Sequence, residues 1–392
     1  MPIDTTRTHA DALDGMRAVA ALCVIGLHVG IYSGQVASSW LGIGEPGPLG
    51  PVLSRLTVGV PIFFVLSGLL LYRPYANAAL DGGRPPRAGR YLWHRALRIL
   101  PAYWAAALTA LLLFGRPSLG EPWQVARTLL LLHIYGKDPI PTGIPQTWSL
   151  ATEVAFYAVL PLLALALHPL LRRRPAAAWA AFAVFAVVTV VSIVATHLPA
   201  AGPYPLPALW LPEYLWYFAA GMALAVVAAR AERTGLLPAA ARQAARRPWA
   251  CWGVALAAYA LVSTPLTGTT AEYPTVAQAL AEHALYLVIA VALIAPLVFA
   301  DGRGPARPLA GPVPSWLGRV SYGVFLWHMI VVEAVMWLTG RSAGTADFAT
   351  LFPVTVAGSV ALAALSHYCL ERPARRLRGV RAPRAEAVPV HG

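Results

Sequence analysis

The chain has 392 residues, of which 58% are hydrophobic and only 12% are charged. This balance excludes an ordinary soluble globular protein, in which about a quarter of the residues are charged. The formal net charge is +13, which would suit a nucleic-acid-binding protein, but the positions of the arginines argue for a lipid bilayer as the partner instead.

Apolar runs occur ten times along the chain, and each approaches the roughly 20 residues needed to cross a bilayer. They predict an all-α polytopic membrane protein with about ten transmembrane helices and no soluble domain. The predicted spans are 13–33, 52–72, 97–115, 148–167, 177–197, 211–229, 249–264, 280–300, 318–338 and 350–370. A shorter apolar stretch from Trp123 to Tyr135 is too brief to span, so it is predicted to lie at the surface or to re-enter.

The basic residues separate sharply when the loops are assigned alternately to two sides. All but five of the 30 Lys and Arg residues fall on one side; the exceptions are Arg55, Arg116, Arg127, Lys137 and Arg341. Cytoplasmic loops carry such an excess, so the pattern predicts a multi-pass protein of the cytoplasmic membrane with both termini in the cytoplasm. The expected organisation is a cytoplasmic tail at 1–12, a membrane domain at 13–377 and a basic, disordered cytoplasmic tail at 378–392.

The first span carries an arginine and a histidine on one face. His28 follows Arg17 by eleven residues, which places both side chains on the same face, roughly 16 Å apart along the axis. Asp14 precedes Arg17 by one turn and is positioned to pair with it. Ionisable residues inside a span are costly and mark functional sites. The structural alternatives are a snorkelling arginine and a core histidine bonded to a backbone carbonyl.

Glu153 lies about five residues into a span that is entered from the outside, in the segment TWSLATEVAFY. Its depth should therefore resemble that of His28, although the two helices run in opposite directions. The spacing favours a carboxylate that bonds the second ring nitrogen of His28 and fixes its tautomer, leaving a neutral imidazole to act as a general base. The alternative is a carboxylate satisfied by water near the end of its helix.

Two arginines stand one turn apart at the cytoplasmic start of the third span, Arg95 and Arg98. Further arginines precede them at Arg73, Arg84, Arg87 and Arg90. Clustered guanidinium groups at one face predict a polyanionic ligand that carries phosphates. Contact with anionic lipids and the setting of topology explain such clusters equally well.

Other candidates are weaker. Ser67 is a possible nucleophile, but it lies nearer the inner face than His28. Tyr322 and His328 in SYGVFLWH, with Trp148, are candidates for supporting roles. The sequence contains no phosphate-binding loop, dinucleotide fingerprint or metal-binding histidine pair, so no metal and no bound cofactor are predicted.

At these residues the chain resembles the acyltransferase-3 family of integral-membrane O-acyltransferases. The matching segments, in family order over about 13–377, are LDGMRAVAALCVIGLH, GVPIFFVLSG, RALRILPAYW, WSLATEVAFYAVLPLL, SYGVFLWH and ERPARRL. The family's arginine-x10-histidine motif falls on Arg17 and His28, its paired arginines on Arg95 and Arg98, and its tryptophan-to-glutamate motif on Trp148 and Glu153.

The resemblance implies ten spans and the transfer of an acyl group from acyl-CoA at the cytoplasmic side. The implied acceptors are hydroxyls on sugars, cell-surface polysaccharides or secondary metabolites, and compact members of similar length include macrolide O-acyltransferases. In this interpretation Arg95, Arg98 and Arg73 bind the phosphates of the co-substrate acyl-CoA, the pantetheine arm passes Arg17, and His28 deprotonates the acceptor. A covalent acyl-enzyme on Ser67 is the lesser mechanism.

Two other classes of protein remain open from the sequence. A polytopic transporter would also bury ionisable residues, although transporters frequently show repeated halves and none is evident here. A membrane scaffold without activity would keep the same residues for packing. Consumption of acyl-CoA by the purified protein separates the enzyme from both.

Overall fold

The computed structural model describes residues 5–114, 120–136, 140–269, 272–300 and 302–377. The predicted disordered tail at 378–392 lies outside these residues. Over the described part the chain is helical, with one isolated bridge between Ser38 and Ile43 and no strand. The all-α polytopic prediction is confirmed, and no separate soluble domain is present among the described residues.

Fifteen α-helices follow one another along the described chain. They are α1 (Thr5–Tyr32), α2 (Gly50–Leu53), α3 (Gly59–Leu80), α4 (Ala88–Leu113), α5 (Pro122–Leu129), α6 (Thr147–Arg173), α7 (Pro175–His197), α8 (Leu211–Thr234), α9 (Ala239–Arg246), α10 (Pro248–Val262), α11 (Val276–Phe299), α12 (Ala306–Leu309), α13 (Pro312–Thr339), α14 (Phe348–Ser366) and α15 (Arg372–Arg376). Short 3-10 helices lie between them, and a π-helical turn, His367–Glu371, links α14 to α15.

Nine helical segments of the described chain are long and apolar enough to cross a membrane. They coincide with nine of the ten predicted spans. The remaining predicted span, 249–264, coincides with α10, which has only 15 residues and is therefore about 22 Å long. The stretch from Trp123 to Tyr135 forms α5 and a 3-10 turn rather than a span, as predicted.

The short helix α10 nevertheless runs between the same two ends of the bundle as its neighbours. At its beginning, Pro248 lies against Gly304, just beyond the end of α11. In its middle, the Trp252 indole donates to the carbonyl of Leu293 at 3.3 Å. Past its end, Gly268 lies against Gln278 at the start of α11. The helix is thus antiparallel to α11 and packs along it.

Both ends of the described chain lie at one end of the bundle. Asp11 in α1 pairs with Arg319 in α13 at 3.6 Å. The Trp316 indole, also in α13, donates to the Tyr368 hydroxyl after α14 at 3.4 Å. We refer to this end, which also carries Arg95 and Arg98 in α4, as the basic end.

We expect the basic end to face the cytoplasm. Cysteines introduced singly near Gly44, Thr142, Gly202, Thr269 and Ala343 should all react with a membrane-impermeant thiol reagent in intact cells, because these loops join the other ends of the helices. Cysteines near Gly83 and Gly304 are the matched controls and should react only after lysis. Protection of any two of the first set would contradict the span assignment, and Thr269 tests whether α10 crosses.

Glycines let the central helices touch backbone to backbone. A Cβ atom on Gly318 of α13 would lie only 1.8 Å from the carbonyl oxygen of Asp14 in α1. A Cβ atom on Gly68 of α3 would lie 2.1 Å from the carbonyl oxygen of Phe218 in α8. Small residues at such crossings allow close approach of membrane helices. These contacts set how α1 and α13 are rotated against each other, and so which side chains meet between them.

The segment 120–136 packs against α4 and against the start of α8, away from the basic end. The Trp104 indole donates to the carbonyl of Leu129 at 2.9 Å, and the Trp210 indole donates to the carbonyl of Ile134 at 2.9 Å. His133 is buried in this segment, and its Nε2 atom lies 3.3 Å from the Thr147 hydroxyl at the start of α6. Burial lowers the pKa of His133 to about 4, so its imidazole is neutral at physiological pH. The segment therefore buttresses the entry of α6, the helix that carries Glu153.

Candidate active site

A cavity of about 340 Å³ lies between α1, α3, α4, α6 and α13. It gathers most of the polar residues singled out in the sequence: Asp14, Arg17, Ser67, Arg95, Arg98, Glu153 and Tyr322 all line it. Apolar and aromatic side chains, among them Phe63, Phe64, Leu71 and Phe325, supply much of the remaining wall. Predominantly apolar walls with a few converging polar groups are typical of small-molecule sites. We call it the central cavity.

Three arginines face the central cavity and differ in what holds them. Arg17 is paired with Asp14 at 2.8 Å, as its spacing predicted. Arg95 lies over the ring of Tyr91, at 6.0 Å from the ring centroid, and its Nε atom is buried without a hydrogen-bond partner in the described chain. Neither Arg95 nor Arg98 forms an ion pair with another described residue. Two guanidinium groups are therefore available to an anionic ligand.

Arg73 does not join this group. It lies at the exposed end of α3 and is paired with Glu232 of α8. It lines neither the central cavity nor the pocket beside it. Arg73 is near the other arginines in sequence, but its guanidinium group is paired with Glu232 of α8 and does not reach the central cavity.

Glu153 does not contact His28, contrary to the contact predicted from their depths. Its carboxylate accepts hydrogen bonds from the Ser67 hydroxyl of α3 and from the Tyr157 phenol, one turn further along α6. Glu153 therefore faces the central cavity together with Ser67. The predicted depth of Glu153 is compatible with a contact to His28 or to Ser67, because depth does not determine the direction in which a helix points its side chains.

The partner of His28 is His328. The Nε2 atom of His328 lies 3.3 Å from the Nδ1 atom of His28, and the two rings are 5.0 Å apart. His28 comes from α1 and His328, which is fully buried, from α13. The sequence predicts only a supporting role for His328. The sequence feature that indicated His328 is the family segment SYGVFLWH. The close approach of Gly318 to α1 brings α13 near enough for the two histidines to meet.

The hydrogen bonds of the two rings fix where their protons lie. The Nδ1 atom of His328 is 2.7 Å from the carbonyl of Phe325, and the Nδ1 atom of His28 is 2.8 Å from the carbonyl of Val24. Because a carbonyl only accepts, both Nδ1 atoms carry hydrogen, and the single Nδ1–H of His28 is shared between the Val24 carbonyl and the more distant Nε2 atom of His328. The Nε2 atom of His28 then holds a free lone pair, with no partner among the described residues.

The histidine pair lies one side chain beyond the wall of the central cavity. Phe325 lines the cavity, and its ring centroid is 6.1 Å from that of His328. Phe63 also lines the cavity and contacts Phe325, with ring centroids 6.4 Å apart. The arginines are at the basic end of the cavity, whereas the two histidines lie about three turns further along the helices.

The two remaining candidates, Tyr322 and Trp148, contact other helices of the bundle. The Tyr322 hydroxyl donates to the carbonyl of Ile99 at 2.9 Å, which ties α13 to α4 beside Arg98. Trp148 lies outside the cavity and packs on Tyr214 of α8, with ring centroids 5.3 Å apart. Among the described residues no cluster of His, Cys, Asp or Glu is arranged to hold a metal ion.

Comparison with known proteins agrees with this architecture. The sequence model of the acyltransferase-3 family, described as an acyltransferase domain, matches residues 11–365. The chain belongs to the acyltransferase-3 family. It is thus a multi-pass membrane acyltransferase of the kind that transfers groups other than aminoacyl groups. This membership decides against the transporter and the inactive scaffold as descriptions of the protein.

Two curated relatives are similar over almost their whole length. The chain is 28% identical to "Acyltransferase MdmB" of Streptomyces mycarofaciens, over 96% of this chain and 94% of that protein. It is 27% identical to "Nodulation protein 10" of Rhizobium leguminosarum bv. viciae, over 94% of each chain. No solved structure matches the chain.

Proposed function

We propose that the protein transfers an acyl group from acyl-CoA to a hydroxyl of a sugar-containing acceptor, either a natural product such as a macrolide or a cell-surface glycan. The observation that carries this proposal is the free lone pair on Nε2 of His28, which lies one side chain beyond the wall of a cavity that presents two unpaired arginines, Arg95 and Arg98. Family membership and the similarity to a named acyltransferase over 94% of its length support it. The basic end is proposed to face the cytoplasm, where acyl-CoA is available.

In the proposed mechanism the thioester donor enters from the basic end. Arg95 and Arg98 bind its phosphates, and Arg17, held in place by Asp14, lines the path of the donor arm. Arg17 lies about 16 Å along the helix axis from His28, so it acts on the donor arm rather than on the reacting carbonyl. No bound cofactor or metal is required in this scheme, because acyl-CoA itself supplies the activated acyl group.

The chemical step is proposed to take place beside His28. The Nε2 atom of His28 removes the proton of the acceptor hydroxyl while the oxygen attacks the thioester carbonyl. The carbon–sulfur bond then breaks, and the departing CoA thiolate takes the proton from the imidazolium. The Val24 carbonyl accepts the Nδ1–H of His28 and holds the reactive tautomer, and His328, the second acceptor of the same hydrogen, stabilises the imidazolium.

Ser67 and Glu153 offer a second route within the same function. The Ser67 hydroxyl donates to Glu153 inside the central cavity, so the carboxylate could accept its proton as the oxygen attacks the thioester. That route forms an acyl-enzyme before the acceptor arrives. We favour direct transfer, because Glu153 is also engaged by Tyr157 whereas the His28 lone pair is not engaged.

Purified protein in lipid nanodiscs tests the proposed function. Acyl-CoA should be consumed, with release of free CoA thiol, and the rate should rise when a hydroxyl-bearing acceptor is added. Mass spectrometry of metabolites and surface glycans from cells with and without the gene then identifies the acylated product. A protein that binds acyl-CoA but releases no thiol with any glycoside acceptor would overturn the proposal.

The partner of His28 can be identified by double-substitution analysis. We expect His328→Phe to lower kcat about 10- to 100-fold, because the imidazolium formed on His28 loses one of its two acceptors, and a hydrogen bond to a charged group contributes about 1.5–3 kcal/mol. The half-saturating acyl-CoA concentration should stay unchanged. Adding His328→Phe to His28→Ala should cost nothing more, since the two residues act as a unit.

Glu153→Gln is the matched comparison, because Glu153 contacts Ser67 rather than His28. Its loss should add to that of His28→Ala. The reverse pattern, with additive loss for His328 and no added loss for Glu153, would return Glu153 to the role predicted from the sequence.

A further inference from the structure

A second pocket lies beside the central cavity, between the basic-end halves of α3 and α4. Its volume is about 980 Å³, which is within the range of small-molecule sites. It shares Leu70, Leu71 and Arg95 with the central cavity, so the two spaces adjoin along one wall. We call it the α3–α4 pocket.

The charge lining the α3–α4 pocket has a single sign. Arg87, Arg90 and Arg95 line it, and no carboxylate does so among the described residues. Arg87 and Arg90 are exposed, and their side chains have no ion pair or hydrogen-bond partner in the described chain. By contrast, Arg233 of the neighbouring helix α8 is paired with Asp81 at 2.7 Å. The pocket therefore concentrates uncompensated positive charge.

Aromatic rings form much of the rest of the wall. Tyr75, Tyr91 and Trp93 all line the pocket, and the rings of Tyr75 and Tyr91 meet edge to face, with centroids 6.0 Å apart. Tyr75 is only 3% exposed. Its hydroxyl and that of Tyr91 are buried without a hydrogen-bond partner among the described residues. Buried hydroxyls are ordinarily bonded, so these two are available to hydrogen-bond a molecule that enters the pocket.

We propose that the α3–α4 pocket binds the nucleotide end of the thioester donor, an adenosine that carries 3′- and 5′-phosphates. Arg87 and Arg90 bind the phosphates, the aromatic wall receives the adenine, and the tyrosine hydroxyls bond to its polar edge or to the ribose. Arg95 and Arg98 then bind the second phosphate of the 5′-diphosphate, where the donor arm enters the central cavity. This inference rests on the proposed function; it takes two arginines of the cluster seen in the sequence, Arg87 and Arg90, and assigns them with the aromatic wall to one part of the co-substrate.

Binding of adenosine 3′,5′-bisphosphate to the purified protein tests the inference without requiring transfer. We expect the nucleotide to bind and to inhibit acyl-CoA consumption competitively, whereas adenosine should bind far more weakly. Substitution of both Arg87→Ala and Arg90→Ala should raise its Kd about tenfold or more, because charge-assisted contacts to phosphate are lost. Arg87→Lys with Arg90→Lys should recover part of the affinity, and added salt should weaken binding to the wild type.

The matched control is a variant that also loses two arginines at the basic end, but outside the α3–α4 pocket. Arg173 and Arg174 close α6 and are exposed, so replacing both with alanine should leave the Kd unchanged. The measurements are repeated in nanodiscs of zwitterionic and of anionic lipid. Loss of nucleotide binding in anionic lipid alone would identify the pocket as a headgroup site and overturn the inference.

The inference and the proposed function fail in different ways. If the Arg87 and Arg90 variant binds the nucleotide as tightly as the wild type, the inference is wrong while acyl transfer stands. If the wild type binds neither the nucleotide nor acyl-CoA, the proposed donor itself is wrong. Size-exclusion profiles that match the wild type establish that each variant is folded, and Trp93→Leu provides a second variant that tests the aromatic wall without changing charge.

Discussion

Replacement of His28 by alanine is expected to reduce acyl transfer by about 10²- to 10⁴-fold, the usual contribution of a general base. His28→Gln should be nearly as damaging, because an amide keeps the size and the hydrogen bond but does not take up a proton usefully. The half-saturating concentrations of both substrates should change little. The measurement is the rate of CoA thiol release with saturating acceptor, on protein reconstituted at equal amounts.

Insertion and folding have to be separated from chemistry in this experiment. The His28 variants should appear in the membrane at wild-type levels and should still bind adenosine 3′,5′-bisphosphate, because the α3–α4 pocket does not include α1. Substantial turnover by His28→Ala would remove the imidazole from the mechanism. Ser67, with Glu153 as its base, would then be the pair to examine by trapping an acylated serine.

Replacement of Arg95 and Arg98 together by alanine is expected to raise the half-saturating acyl-CoA concentration at least tenfold. Each charge-assisted hydrogen bond contributes about 1.5–3 kcal/mol, and neither guanidinium has a competing carboxylate partner in the described chain. Acceptor dependence should stay nearly intact, because the acceptor approaches at His28. Initial rates over a matrix of donor and acceptor concentrations measure both effects.

Conversion of both residues to lysine should rescue only part of the donor affinity, because the planar fork that matches a phosphate is lost. Arg73→Ala is the informative comparison. Since Arg73 is paired with Glu232 outside both pockets, it should behave as the wild type toward acyl-CoA. Unchanged donor dependence in the Arg95 and Arg98 variant would leave these arginines as anchors for topology and lipid.

Hydrophobic runs predicted the helical layout well, because a chain in lipid must satisfy its backbone within each segment. The exception is the run at 249–264. It contains enough apolar residues to predict a full span, but α10 begins at Pro248 and ends at Val262. A proline at the first helical position and the 3-10 turn Pro265–Thr267 shorten the helix at both ends. Composition alone does not reveal such boundaries.

The residues of the candidate site were largely predictable, but their partners were not. Arg17, Arg95, Arg98, Ser67 and Glu153 do line one cavity. The contacts between side chains depend on how each helix is rotated about its own axis. Close backbone contacts, such as that of Gly318 with α1, fix this rotation to within a fraction of a helical turn. A single sequence holds no record of these rotations, so His28 was matched to Glu153 instead of to His328.

The histidine pair has a consequence for how the enzyme is made. Its two members are 300 positions apart in the chain, one in the first long helix and the other in the last but one of the long helices in the described chain. During synthesis the first helix enters the bilayer with the His28 imidazole bonded only to its own helix, and most of the other helices must follow before α13 arrives. If the pair acts as proposed, we expect transfer activity only from chains in which α13 has been inserted.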